Sequence, residues 1–137
     1  MLVKQIERYD DAYRHPNRAR LMVSEVHLLR PKRSDGGVPR YNWPQAWPLG
    51  DRQGVYVFLS KVNEVLYVGK AGPRRTLGER LSEYFRDKRS GRARFYRSQW
   101  FPAAVVTVAV PADSPFEVAS LEAYLIDALR PLWNTLA

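Results

Sequence analysis

Glu122 sits where a carboxylate needs a reason. The stretch Leu121-Glu122-Ala123-Tyr124-Leu125-Ile126-Asp127 reads as part of a helix that starts near Ser114 and stops at Pro131. On a wheel of about 100° per residue with Val118 at 0°, Leu129 falls at about 20°, Glu122 at about 40° and Leu125 at about 340°. The glutamate therefore lies inside the apolar stripe, and an ionised carboxylate is costly to bury without a partner. Either Glu122 meets a buried arginine, or it reaches a cleft and binds a cation. Arginine is plentiful: the 137 residues hold 22 Lys+Arg against 14 Asp+Glu, a net charge of +8, and 17 of the 22 are Arg. The planar guanidinium fork suits phosphate, to which it can donate two bonds at once.

The charge is uneven. Residues 70–97 hold 10 basic and 3 acidic residues, whereas residues 98–137 carry a net −3. A concentrated positive segment is a candidate footprint for a nucleic-acid partner, with a solvated basic face or a generic binder of anionic surfaces as the alternatives. Arg74, Arg75, Arg86, Lys88, Arg89, Arg92, Arg94 and Arg97 are the candidates for phosphate contacts, which give affinity without reading sequence. Tyr96, Trp100 and Phe101 interleave with them and either stack on bases or pack near a strand; Trp43 and Trp47 face the same alternatives, with core packing first.

Other chemistries are excluded. The chain has no cysteine, so disulfides, thiolate nucleophiles and Cys-ligated zinc are ruled out, and a cytoplasmic location is expected. His15 and His27 are twelve residues apart on different elements, which is not zinc-ligand spacing. No apolar run approaches about 18 residues, so no membrane partner is expected. The opening residues are too polar for a signal peptide.

The positioning elements follow from local patterns. Residues 2–14 form an amphipathic helix ended by Pro16, and Leu21 to Leu29 reads as one strand. Residues 31–53, with Asp35-Gly36-Gly37 and four prolines, read as an ordered strap. Gly54-Val55-Tyr56-Val57-Phe58-Leu59 and Val65-Leu66-Tyr67-Val68-Gly69 read as a hairpin with a loop of about five residues. Thr76 and Glu79 make a capping box that opens a helix with Leu77, Leu81, Tyr84, Phe85 and the stem of Lys88 on one face. Ala103 to Val110 is a third, apolar and therefore central strand. Ser114 caps the last helix, Pro115 takes its first position, and Glu117 closes a second capping box. The expectation is a single mixed α/β domain: a small antiparallel-type sheet in β-β-α-β-α order flanked by helices over residues 54–137. Residues 1–53 form a helix-and-strand extension packed on it.

Gly54-Val55-Tyr56 and Tyr67-Val68-Gly69-Lys70 resemble the paired signature of the GIY-YIG nucleases, with Val for Ile in both. Arg80 and Tyr84, four residues apart, match that family's helix arginine and the aromatic one turn later. Glu122 and Pro131-Leu132-Trp133-Asn134 match its later glutamate and asparagine. Over about 80 residues, 54 to 134, the chain most resembles the catalytic module of the nucleotide-excision-repair incision nuclease, with a longer segment between Gly69 and Arg80 that carries Arg74-Arg75.

The resemblance implies a divalent-metal-dependent hydrolase, an endonuclease that cuts DNA phosphodiester bonds. It implies that Glu122 holds one Mg²⁺ or Mn²⁺ and that Arg80 binds the phosphate and its developing charge. Tyr56 is the expected general base, its pKa lowered by Lys70 and the metal, and Tyr67 orients water or phosphate, with the two roles exchangeable. That pairing requires Tyr56 and Tyr67 to share one side of the hairpin. Tyr84 bonds the phosphate or the water, Asn134 braces the site, and Gly54 and Gly69 permit close backbone approach or a bulge. Single-stranded and duplex DNA, and repair, restriction or mobile-element roles, stay open, as does action as a monomer or a transient dimer on DNA. The alternatives are a catalytically silent nucleic-acid-binding module and an RNA-binding structural protein.

Overall fold

The computed structural model describes residues 1–29, 32–33, 39–42, 46–89, 92–95 and 102–134; at 32–33, 39–40, 42, 86–89 and 92–95 only the backbone is described. Helix α1 spans Leu2–Tyr13 and buries Leu2, Ile6 and Tyr9. The expected strand from Leu21 to Leu29 is two short ones, β1 (Met22–Val23) and β2 (His27–Leu28). Both pair with β9 (Ala104–Ala109), and Ser24 bridges the gap by bonding Thr107 through its own backbone N–H and, as acceptor, through its side-chain oxygen.

The expected strap contains strands. β3 (Lys32–Arg33) and β4 (Pro39–Asn42) join β7 (Phe85–Arg89) and β8 (Arg92–Phe95) in a second antiparallel sheet of order β3-β4-β8-β7. The register aligns Lys32 with Arg40, Arg40 with Arg94 and Arg94 with Arg86.

The hairpin is as expected, with β5 (Gly54–Leu59) and β6 (Val65–Ala71) joined by five residues. β5 lies between β6 and β9, and β9 lies between β5 and the pair β1 and β2, so β9 is central. Both faces of this sheet are covered, which is why β5 and β9 are buried at every position instead of alternating. Val55, Val57, Val68, Val106 and Val108 pack against α1 and α3 (Glu117–Leu129). Tyr56, Phe58 and Val105 pack on the other face with Leu29, Tyr41, Trp47, Leu77, Leu81, Tyr84 and Phe85. Trp47 is therefore a core cover: its ring stacks on Phe85 and its indole N–H donates to Ser82 at 3.0 Å. Trp43, Tyr96, Trp100 and Phe101 lie outside the described residues.

Two helix expectations need correction. Helix α2 spans only Leu77–Ser82; the capping box of Thr76 and Glu79 is present, but Tyr84 sits in a turn and Phe85 begins a strand. Pairing of Phe85 with Phe95 and burial of its ring override the local helical spacing. At α3 no side chain caps the N-terminus: the Ser114 hydroxyl is taken by Arg18, and Glu117 is buried against Arg14. The Arg14 guanidinium donates to Glu117 and Asp10 at 2.9 Å each and to the Ala19 carbonyl at 2.7 Å. A glutamate explained by capping in the sequence is thus half of a buried ion pair. No helix among the described residues is long and apolar enough to cross a membrane.

Candidate active site

β5 and β6 settle the register on which the tyrosines depend. Tyr56 faces Gly69 and Phe58 faces Tyr67, so Tyr56 and Tyr67 share one face, with ring centroids 6.3 Å apart. Both glycines serve close approach. A side chain on Gly69 would collide with the Tyr56 ring, and one on Gly54 with the Val108 backbone. The bulge in this pair lies instead between Phe58 and Leu59.

The turn after α2 brings Tyr84 under β5. The hydroxyls of Tyr56 and Tyr84 are 2.7 Å apart, and Tyr84 also engages the Tyr67 hydroxyl. Tyr56 is fully buried and Tyr84 nearly so. Burial, the leading cause, pushes the Tyr84 hydroxyl up to about 12 and Tyr56 further still; Arg80 opposes the shift in both. The expected lowering of Tyr56 by Lys70 is not met: among the described residues Arg80 is the cation that acts on it, and desolvation of the phenolate outweighs that pull. Arg80 is held by the ring of Tyr84, with its guanidinium carbon 5.0 Å from the centroid.

Lys70 and Glu122 come from the other side of β6. Lys70 has the strand parity of Val68, which packs toward α3, and its ammonium lies 3.8 Å from Glu122. The expected choice between an arginine and a cleft resolves as a cleft. Glu122 keeps about a fifth of its side chain exposed in a cavity of about 690 Å³, with Lys70 as its ion-pair partner among the described residues. Burial raises its pKa, and Lys70 pulls it back in part.

The same cavity is lined by Tyr56, Tyr67, Arg74, Arg75, Arg80 and Glu83. Sequence reasoning missed Glu83. Its carboxylate pairs with Arg75 and lies 3.3 Å from Arg80, so it ties two cations of the cavity together. An acidic residue three positions after an arginine on a short helix was the available signal.

Asn134, in the 3₁₀ turn Leu132–Asn134, accepts a bond from the Val68 N–H at 2.8 Å and donates to the Val68 carbonyl at 2.9 Å. Its amide closes the free edge of β6 like one residue of an added strand. Arg86, Lys88, Arg89, Arg92 and Arg94 fall on β7 and β8, of which only the backbone is described, and Arg97 lies outside the described residues.

The donor set fits one hard divalent cation. Glu122 is a partly buried carboxylate whose ion pair among the described residues is a long one to Lys70, whereas Glu83, also lining the cavity, is engaged by guanidiniums. No group of three His, Cys, Asp or Glu side chains gathers among the described residues, so these residues offer no closed protein cage. A cation here would complete its shell with water and substrate oxygens, as Mg²⁺ commonly does.

A second cavity, of about 490 Å³, lies between α1 and α3 and is lined by Tyr9, Tyr13, Arg18, Phe116 and Tyr124 among others; it contains none of the expected site residues.

Comparison with known proteins falls on the same segment. The family model of the UvrC-like GIY-YIG domain matches residues 52–135. UvrABC system protein C of Clostridium acetobutylicum is 33% identical over 92 residues, covering 64% of this chain and 13% of that protein. That of Wolbachia sp. subsp. Drosophila simulans is 38% identical over 82 residues, 59% of this chain and 12% of that protein. That of Bradyrhizobium diazoefficiens is 43% identical over 82 residues, covering 59% and 11%. The matched part is thus about an eighth of each of these relatives.

Proposed function

The chain belongs to the UvrC-like GIY-YIG family, and on that premise we propose that it is a metal-dependent endonuclease that hydrolyses DNA phosphodiester bonds. The observation that carries the reading is the meeting of Tyr56, Tyr67, Arg80 and Glu122 at a single cavity. Repair is the biological setting that the likeness to UvrABC system protein C supports.

Hydrolysis forms a bond from water oxygen to phosphorus and breaks one P–O ester bond. The water gives up a proton, and the leaving alkoxide takes one. Arg80 binds the phosphate and the charge that grows on it, already oriented by the Tyr84 ring. Burial disfavours a free phenolate at Tyr56. Tyr56 therefore accepts the water's proton as its own passes to Tyr84, and a proton passes onward through Tyr67 to the leaving alkoxide in the cavity. Lys70 opposes the rise that burial imposes on the Glu122 pKa and so favours its charged form. Asn134 holds Val68, and with it the strand that carries Tyr67 and Lys70. A divalent cation on Glu122 would supply Lewis-acid stabilisation of the leaving oxygen.

The test is cleavage of labelled single-stranded and duplex DNA with Mg²⁺, Mn²⁺ or EDTA, beside Glu122→Ala. Metal-dependent cutting that the variant lacks, with DNA binding retained, is expected. Binding without cutting of either substrate, unchanged by the substitution, would identify a silent binding module instead.

A further inference from the structure

We propose that the second sheet is a nucleic-acid platform, built jointly by the N-terminal extension and the segment after α2, that holds the sugar–phosphate backbone beside the candidate site. The inference rests on the nucleic-acid reading above and adds to it a surface and a role for residues before 52.

Its four strands carry eight basic residues and one acidic residue, Asp87. The register places Lys32, Arg40, Arg94 and Arg86 in a single row that crosses all four strands. Arg92 and Arg89 pair in the neighbouring row, and Arg92 has the strand parity of Arg94. Asp87 falls in the irregular stretch between Arg86 and Arg89 and is not paired in either row.

The intervening positions identify the face. Tyr41 is next to Arg40, Phe85 is next to Arg86, and both Tyr41 and Phe85 are buried in the core. Successive strand positions alternate between faces, so by register the basic rows fall at the positions of the sheet face opposite the one that carries Tyr41 and Phe85. Like charges directly opposite one another destabilise a sheet. Three such junctions in one row make sense for a surface that meets a polyanion, which would release counterions as it binds. Arginine predominates in the row, as suits phosphate oxygens. The platform is joined to the candidate site along the chain, because β7 begins at Phe85, the residue after Tyr84.

Half of the row comes from residues outside the family match, Lys32 and Arg40. The matched module alone would therefore present only the β7 and β8 part.

The test is equilibrium binding of a fluorescent duplex and a fluorescent single strand to the full chain in EDTA, across a salt series. K32Q/R40Q should flatten the slope of log affinity against log salt by roughly 1.4 units on single strands and 1.8 on duplex, the worth of two phosphate contacts. R86Q/R94Q should do the same, and the charge-keeping R40K should keep the wild-type slope. K4Q/R8Q, on the exposed side of α1, should leave the slope unchanged. A slope untouched by K32Q/R40Q, or lowered equally by K4Q/R8Q, would overturn the platform. So would preferential binding of phosphatidylserine vesicles over DNA. Cleavage plays no part in this readout, so an inactive protein with these slopes would sink the nuclease reading and leave the platform standing. Cutting with unaltered slopes would do the reverse.

Discussion

The ring of Tyr56 occupies the space that a side chain on Gly69, its cross-strand partner, would fill. The glycine of the second strand is thus the seat of the tyrosine of the first. Gly69→Ala must push the ring off its place or part the strands. The cost is expected at about 1–3 kcal/mol of stability, as for an overpacked core. Displacement of the ring also breaks the 2.7 Å contact with Tyr84. Denaturant unfolding and DNA cleavage should both suffer in this variant, whereas Tyr56→Phe should lose cleavage and keep most of its stability. A fully active Gly69→Ala protein would contradict the arrangement.

Alkaline pH reads the buried phenols. Burial holds Tyr41, Tyr56 and Tyr84 above the ordinary tyrosine range in the folded protein. The unfolded chain gives up those protons near pH 10, and the folded one does not. Their contribution to stability is whole below about pH 10 and is lost as pH rises toward the folded values. The urea midpoint should therefore fall above pH 10, and less steeply in Tyr56→Phe. Absorbance at alkaline pH should show part of the eight tyrosines ionising only on unfolding.

The pair Arg14–Glu117 ties α1 to the start of α3, with 2% of the Arg14 side chain and 10% of that of Glu117 exposed. Arg14→Met leaves Glu117 buried with no cation among its described contacts. Removing one partner of a buried pair costs about 3–5 kcal/mol. The double variant Arg14→Met/Glu117→Leu should recover much of that loss. A double-mutant cycle on thermal or urea unfolding measures the coupling.

Glu83 engages Arg75 and Arg80, so on the proposed reading a phosphate must compete with it for these guanidiniums. Its carboxylate and a phosphate oxygen present similar acceptors to a guanidinium. Glu83→Gln should bind inorganic phosphate more tightly, by about fivefold for a partly exposed pair worth about 1 kcal/mol. Calorimetric titration of phosphate into wild type and variant decides it. Equal or weaker binding by the variant would mean that Glu83 orients the arginines for phosphate.

Much of the site was legible without coordinates because its signals are local. A capping box, a β-rich hairpin and a glutamate out of phase with its helix each need only a few neighbouring residues, and Thr76, Tyr56 and Glu122 stand as those patterns imply. Tertiary structure decided the rest. Whether Tyr56 and Tyr67 share a face depends on a register that one slip would reverse. Phe85 had a helical spacing, yet its pairing with Phe95 and its burial with Tyr41 and Trp47 made it a strand residue. Glu117 had the pattern of a cap, yet a guanidinium 103 residues away in sequence claimed it. β4 and β8 pair across some fifty residues, and nothing in either four-residue segment announces the other. Short-range propensities are worth tenths of a kcal/mol per residue, whereas burial of an aromatic ring gains, and a buried charge left unpaired costs, several-fold more. Local pattern therefore determined which elements and chemical groups the chain would have, and packing between distant segments determined which of them would meet.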